Sequence, residues 1–552
     1  MKKKFTRVVS VAVCAMMLVS TTTACKSPEN AKTVSSPSNT STSVAGDPLG
    51  KYSSPITLTA VRSVDSTYKF DTSNPETSSL EKNVWSTAYQ EQLGINIKYL
   101  WTCAPDQYDS KWNVSIASGD IPDIAPVDQT TYKMLVNADM VEDMTNVYQN
   151  YASDDYKKAN KADSGITMKY STANGKLLGL PITGQQPDNS PILMIRKDWL
   201  KAANLSEPKT IDDVYKVAQA FTQKKLGGKD TYGLVLDKDI SAGVCDMTGF
   251  LNGCGAYYDM WIKDKSGNLA YGSIQPEMKT ALQKLQKMYG EGLINKDFAV
   301  KDFNTAGQDI VAGKVGITFG NFTAPLIKII DNIKADSKAD WEALPIPTLD
   351  GSAAKPGASV QPATYLFVKK GIKNPEAAVK IANIGLKLVG QDYNKYGTSK
   401  DGIQRQKYEM TTIQQPWQNL NRHLQTADAI KTGDLTKFTN DLYKQTYTAV
   451  KSAIDGDRTQ FGKLLVFGPS GTFSVINQYK VQNQVVVSAF QAMPTATMTT
   501  KGNTLKTALD AVVLKIIMGD NVNTFDQAVQ NWKSMGGTDI TNEVNDWYKK
   551  NK

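Results

Sequence analysis

Apolar and polar positions alternate with a period of two over residues 56–61 (ITLTAV), which predicts a first strand. A helical spacing follows over 83–93 and stops at Gly94, where a residue free to adopt positive φ ends the turn. Residues 95–100 predict a second strand and 109–118 a second helix, stopped by Gly119. The turn at 120–126 feeds a third, short strand. Strand, helix, strand, helix, strand at this spacing predicts a mostly parallel sheet. Further along, apolar runs at 192–196, 315–319 and 363–368 read as strands. Residues 277–289 and 375–388 read as amphipathic helices. Another helix opens after Pro208, with Thr210 as its cap and Asp213 at the third helical position. From about residue 400 the pattern is mainly helical. No internal repeat is visible.

The first 24 residues follow a different rule. A basic head (Lys2, Lys3, Lys4, Arg7), an apolar run over 8–19 and a small-residue stretch ending at Ala24 describe an export signal. The apolar run falls well short of the ~20 residues that span a bilayer as a helix. Cys25 follows directly, and residues 25–52 are mostly Ser, Thr, Pro, Asn, Ala and Gly. Such a stretch buries too little apolar surface to offset the entropy of ordering, so it reads as a tether. The junction resembles the lipobox of bacterial lipoproteins, although Thr22 stands where leucine is usual. That resemblance implies cleavage before Cys25 and acylation of its thiol, hence anchoring at the outer face of the cell membrane of a Gram-positive type cell. An ordinary secretory signal cut near Ala24 is the alternative.

Charge and composition mostly exclude. Removing 24 residues from 552 leaves 528, enough for two large lobes. Loss of the leader's four cations takes the formal charge from +9 to +5. The remaining lysines are scattered among acids rather than gathered in a stripe, so nucleic acid is not an expected partner. His423 is the only histidine. That removes Ser-His-Asp triads and histidine-rich zinc sites, apart from arrangements built on this one residue, which reads as a solvated helix position beside Arg422. Besides Cys25 the mature chain holds Cys103, Cys245 and Cys254. The last two stand nine apart and are candidates for a disulfide or for isolated buried thiols. No CxxC pair exists, which speaks against a thiol redox centre.

Several ordered segments carry a resemblance to a family. They are ASGDIPDI at 117–124, GKLLGLP at 175–181, IRKDWL at 195–200, GLINKDF at 292–298, GKVG at 313–316, KIIMG at 515–519, NWKSMGG at 531–537 and EVNDWY at 543–548. In this order and spacing the chain resembles the extracellular solute-binding proteins of ABC importers, in the large branch that serves oligosaccharide uptake. The resemblance implies an α/β fold of the two-lobed, periplasmic-binding-protein-like type II class with a cleft between the lobes. Lobe 1 would comprise 53–181 and 348–400, and lobe 2 would comprise 182–347 and 401–552. It further implies a monomer that is not an enzyme, binds no cofactor, captures an oligosaccharide in the cleft and presents it to membrane permease subunits. The same fold with a peptide or other solute as cargo is one alternative. A surface carbohydrate-active enzyme is another, which would need two opposed carboxylates.

Sugar recognition asks for flat apolar faces and planar polar groups in a concave site. Trp101 stands at the carboxyl end of the second predicted strand, where open α/β sheets bind ligands. Phe322, after Asn321 at the end of the 315–319 strand, is the leading stacking candidate on the family's pattern. The stretch 246–261 is rich in glycine and aromatics and contributes Asp246, Tyr257 and Trp261. Asp128 and Gln129 read as hydroxyl partners from the first lobe, and Gln185 as one beside the lobe crossing. Arg196 is placed either at the ligand or in an internal pair. Trp417 is a loop aromatic. Trp532 and Trp547 read as packing. Some large members carry a calcium loop after the Thr210-type helix. The matching segment here, 223–230, offers Asp230 as its only side-chain carboxylate, too few for a cation that takes six to eight oxygens, so no metal is expected there.

Overall fold

The structure is a computed structural model. It describes residues 46–184, 186–362, 364–398, 403–438 and 440–551, without the side chains of residues 186 and 187. The leader, Cys25, Gln185 and the tether up to residue 45 lie outside the described residues.

Two separate sheets organise residues 46–551. In the first, strand Ile95–Cys103 lies at one edge beside Ile56–Ser63, followed by Ile124–Val127, Thr364–Val368 and Leu180–Ile182. The three N-terminal strands are parallel, as the strand–helix alternation predicts. Thr364–Val368 runs antiparallel to both of its neighbours, so four strands point one way, one points the other, and the sheet is mixed. The reason is topological. Thr364–Val368 returns from the second crossing and so enters this sheet from the end at which Leu180–Ile182 leaves it. Side chains alternate between the two faces, as strand geometry requires. Leu58, Ala60, Ile124, Leu366 and Val368 pack on one face, while Val61, Ala125, Val127, Tyr365 and Phe367 pack on the other.

The second sheet has the order Trp341–Leu344, Ile192–Arg196, Val315–Gly320, Tyr232–Leu234. Ile192–Arg196 runs antiparallel to both neighbours, and Val315–Gly320 runs parallel to Tyr232–Leu234. One continuous core surrounds this sheet and extends through the C-terminal helices, including Phe473, Leu505, Val513, Ile516 and Val544.

Three stretches of chain pass between the lobes: from Ile182 to Ile192, from Leu344 to Thr364, and the segment after helix Glu376–Gln391. On that third pass Tyr408, Met410 and Ile413 still pack in the first lobe's core, Trp417 packs against the second, and Leu420 is the first apolar residue buried in it.

Local signals hold where local chemistry decides. Thr210 Oγ1 accepts from Asp213 N at 3.0 Å and Asp213 Oδ2 accepts from Thr210 N at 3.0 Å, a capping box on helix Ile211–Lys224. The helix expected over 83–93 forms as α-helix Val84–Ala88 continued by a π-helical turn, Tyr89–Leu93, and ends at Gly94 with φ +71°. His423 corrects the expectation of a solvated residue. It is 4% exposed, its Nδ1 lies 3.1 Å from the Phe467 carbonyl, and burial lowers its pKa. Cys245 and Cys254 are two buried free thiols, and Cys103 is free as well.

Candidate functional site

The parallel strands of the first sheet end at Ser63, Cys103 and Val127, and this edge faces the crossings. Directly after Val127, Asp128 caps helix Gln129–Asn137 by accepting from Thr131 N at 2.7 Å. That cap fixes Gln129 on the first helical turn, where its side-chain oxygen accepts a hydrogen bond from the Gln361 amide. Gln361 belongs to the second crossing. Two amides from distant parts of the chain therefore meet at the edge of the sheet.

The second lobe faces them with a hairpin, Trp261–Lys263 and Leu269–Tyr271. Residues 488–489 fasten to it: Trp261 N donates to Ser488 Oγ at 3.1 Å and Ala489 N to the Trp261 carbonyl at 2.8 Å. Just before them, Val486 and Val487 pair in parallel with Gly357 and Ala358 of the second crossing. The segment continues across to the first lobe. Tyr170 Oη donates to the Phe490 carbonyl at 3.2 Å and Lys169 Nζ to Gln491 Oε1 at 3.3 Å. Met493 packs against the first lobe's core.

These elements enclose a cavity of about 420 Å³. Gln129, Thr130 and Tyr170 line it from the first lobe, and Ser359 and Gln361 from the crossing. Asp259, Trp261, Tyr271, Phe490, Asn503 and Lys506 line it from the second lobe. Its aromatic wall is built of rings in mutual contact. Trp261 and Tyr271 lie 5.3 Å apart, and Tyr271 stacks on Trp532 at 5.2 Å with 10° between planes. Asp259 sits beside this wall in the left-handed region, φ +55°, and its Oδ1 accepts from Tyr271 Oη at 2.8 Å. Asp259 has exposed surface toward the cavity, yet enough protein surrounds its carboxyl to raise its pKa by desolvation, against the Tyr271 bond and Lys506. Lys506 Nζ is paired with Asp510 at 2.7 Å.

A second opening of about 450 Å³ lies against the three crossings, lined by Arg62, Pro126, Thr183, Asn189, Thr364 and Gln414 among others. Arg62 closes its base. Its Nη1 donates to the Glu409 carbonyl and its Nη2 to the Lys407 carbonyl, each at 2.7 Å, and its Nε donates to Tyr68 Oη at 3.0 Å.

Of the residues singled out in the sequence, Gln129 and Trp261 come together at the cavity. Asp128 serves the same helix as its cap. The other described ones are held elsewhere. Arg196 stands at the end of its strand away from the crossings. It is 2% exposed, bonded to Asp198 at 2.7 and 2.5 Å and to Asp336 at 3.0 Å, with its guanidinium 4.8 Å from the Trp199 ring. This is the internal pair. Asp246 is buried and accepts from Gly243 N, Thr248 N and Thr248 Oγ1, which ties a turn. Phe322, expected to stack on a ligand, is buried in the second lobe's core with its ring 4.9 Å from Phe473. Asn321 accepts from Thr323 N and Oγ1 and so shapes the turn after the strand. Trp101 packs edge-on to Tyr108 and Trp112 and donates to Ser115 Oγ at 3.3 Å. Tyr257 donates to the Lys355 carbonyl at 3.1 Å, fastening the second crossing. Trp417, at φ +62°, precedes helix Gln418–Thr432 under Lys480 Nζ at 4.6 Å. Trp532, read as packing, is 5% exposed and also backs the cavity.

Tyr170, Asp259, Gln361 and Lys506 are cavity residues that the sequence did not single out. Only Asp259 fell within a segment already flagged, the stretch 246–261. Among the described residues no group of three or more His, Cys, Asp or Glu could hold a metal ion. The 223–230 loop closes on itself through Gly227 N to Thr231 Oγ1 at 2.9 Å.

Residues 72–386, more than half of the chain, match the family model for bacterial extracellular solute-binding proteins. The chain belongs to that family. Curated relatives extend the likeness over most of its length. It is 25% identical over 469 residues to the polygalacturonan/rhamnogalacturonan-binding protein YtcQ of Bacillus subtilis strain 168, covering 82% of this chain and 85% of that protein. It is 26% identical over 514 residues to lipoprotein LipO of the same organism, covering 87% and 91%. Among solved structures, the HMO-binding, ABC-transporter-associated solute-binding protein of Bifidobacterium longum infantis superposes with a TM-score of 0.58 at 14% identity, over 90% of this chain and 99% of that one. The fold is thus the two-lobed α/β class that the sequence motifs imply. The protein is a solute-binding protein and not an enzyme.

Proposed function

We propose that this protein is the capture component of an ABC importer, taking an oligosaccharide into the space between its lobes and presenting it to membrane permease subunits. The observation that carries the reading is the cavity walled by both lobes. One side offers amides and hydroxyls, and the other a stacked aromatic wall formed by Trp261, Tyr271 and Trp532. Sugar rings present CH faces and paired hydroxyls, and both features find partners here. The names of the polygalacturonan/rhamnogalacturonan-binding relative and of a fructooligosaccharide ABC transporter substrate-binding protein from Streptococcus pneumoniae support the same cargo class. Capture by closure would be a population shift between open and closed forms, driven by contacts that only the closed form makes.

The lobes divide in this reading near residues 182 and 348 and in the crossing after helix Glu376–Gln391. Cys25 is the proposed site of acylation, so the protein would work as a tethered monomer outside the cell membrane. Two acyl chains contribute roughly 0.8 kcal/mol per buried CH₂, which suffices for stable anchoring.

Thermal unfolding of the chain from Ser27 onward, screened against oligosaccharides of different linkage, tests the reading. A ligand that binds only the folded state raises stability by mass action. A saturable rise in Tm with one sugar class is expected. No rise with any sugar, together with a rise for peptides, would overturn the cargo assignment.

A further inference from the structure

The charge inside the cavity bears on which oligosaccharides fit, an inference that rests on reading the cavity as a sugar site. Among the described residues lining it, Asp259 is the one acid and Lys506 the one base. Lys506 does not act as a free cation. Its ammonium is engaged by Asp510 at 2.7 Å and lies 5.0 Å from the Tyr258 ring, and Asp510 also accepts from Tyr258 Oη at 2.8 Å. Asp259, in contrast, is committed on one oxygen only. Tyr271 Oη donates to Oδ1, and among the described residues no hydrogen bond reaches Oδ2. The residue is held in place by its backbone, since Asp259 N donates to Ser273 Oγ at 2.7 Å and φ is +55°. Tyr271 is itself locked in the stack with Trp532.

A sugar carboxylate bound beside this group would meet like charge in a partly desolvated space and would find no arginine or unpaired lysine on the lining. Recognition of carboxylates draws on the bidentate guanidinium fork or on a free ammonium. Like charges brought together under these conditions suppress recognition. A neutral ring would instead offer hydroxyl donors to Asp259 and to the amides of Gln129 and Gln361. We propose that the cavity selects uncharged oligosaccharides and rejects uronate-bearing ones, and that Asp259 is the residue setting this selectivity. The cargo named for the polygalacturonan/rhamnogalacturonan-binding relative would then not carry over to this chain.

Isothermal titration of the mature chain with tetragalacturonate and with neutral tetrasaccharides of the malto-, xylo-, galacto- and fructo- series tests this. At least one neutral series should bind, and tetragalacturonate should bind at least about tenfold more weakly, with that gap narrowing as salt screens the repulsion. D259N keeps an oxygen for Tyr271 and removes the charge, so the gap should shrink by about tenfold. Its Tm, measured alongside, establishes that the variant is folded. Tetragalacturonate binding as tightly as the best neutral sugar, or a gap unchanged in folded D259N, would overturn the selectivity while leaving the sugar reading intact. Absence of binding by every sugar of both kinds would overturn the sugar reading itself and this inference with it.

Discussion

Tyr170 and Phe490 are 320 positions apart in the chain, yet the Tyr170 hydroxyl donates to the Phe490 carbonyl at 3.2 Å. The first packs in the core of one lobe and the second in the core of the other. Because the acceptor is a main-chain carbonyl in a segment fastened to the Trp261 hairpin, the bond couples the position of that hairpin to the first lobe.

Tyr170→Phe keeps the ring and removes the bond. A single hydrogen bond contributes about 1 kcal/mol net, so ligand affinity is expected to fall by roughly fivefold with little change in the Tm of the ligand-free protein. Titration with the sugar identified by screening checks this. An unchanged affinity would mean that the contact does not contribute to closure.

Gln129 and Gln361 share a hydrogen bond and both line the cavity. Each alanine variant is expected to weaken ligand binding by about tenfold, and the double variant by less than the product, since residues in one network do not contribute additively. A double-mutant cycle measured by calorimetry reads the coupling directly.

Arg196→Ala separates the two roles considered for this residue. Its guanidinium is buried and paired with Asp198 and Asp336. Removing one member of such a set costs about 3 kcal/mol in typical cases, and rather less here because both carboxylates keep contact with solvent. Denaturant unfolding should show that loss while ligand affinity stays at the wild-type value.

Glu409 gives the stability a pH dependence with a definite sign. Burial pushes its carboxyl from 4.5 up to about 8, against weaker opposing effects of Thr412 and Arg62. The folded protein therefore retains a proton that the unfolded chain has already released. The contribution is complete below the unfolded value of 4.5 and is lost as pH rises through about 8. Glu409→Gln cannot ionise, so its Tm should fall less than that of the wild type between about pH 5 and 8, by a few degrees. Parallel slopes for the two proteins would sink the assignment.

Gly385→Ala probes the same group from behind. A Cβ on Gly385 would collide with Glu409 Oε1, so the helix cannot carry a side chain there unless the carboxyl moves. Overpacking of this kind costs about 1–3 kcal/mol, and Glu409→Ala introduced in the same chain should recover part of it in thermal unfolding.

Much of the architecture was legible in the sequence because it depends on neighbours along the chain. Period-two alternation located Ile56–Ser63 and the capping box located Ile211–Lys224, since a strand face and a helix cap are each set within a few residues. The ordered motifs identified the family and with it the two-lobed fold. Tertiary structure decided the rest. Strand direction in both sheets follows from where the chain crosses between lobes, which no local pattern reports. His423 looked like a surface residue and is buried against Phe467 and Phe473. Phe322 and Arg196 have the right chemistry for a site, but the core of the second lobe and two aspartates claim them. The cavity gathers Gln129, Tyr170, Asp259, Gln361 and Lys506 from positions up to 377 apart, and composition alone cannot say which amides, aromatics and charges will meet. The sequence determined the elements and their family, because those are coded by local spacing. The polar character of the site was decided by folding, because a charge in the cleft matters only through what stands opposite it and whether its partner has already neutralised it.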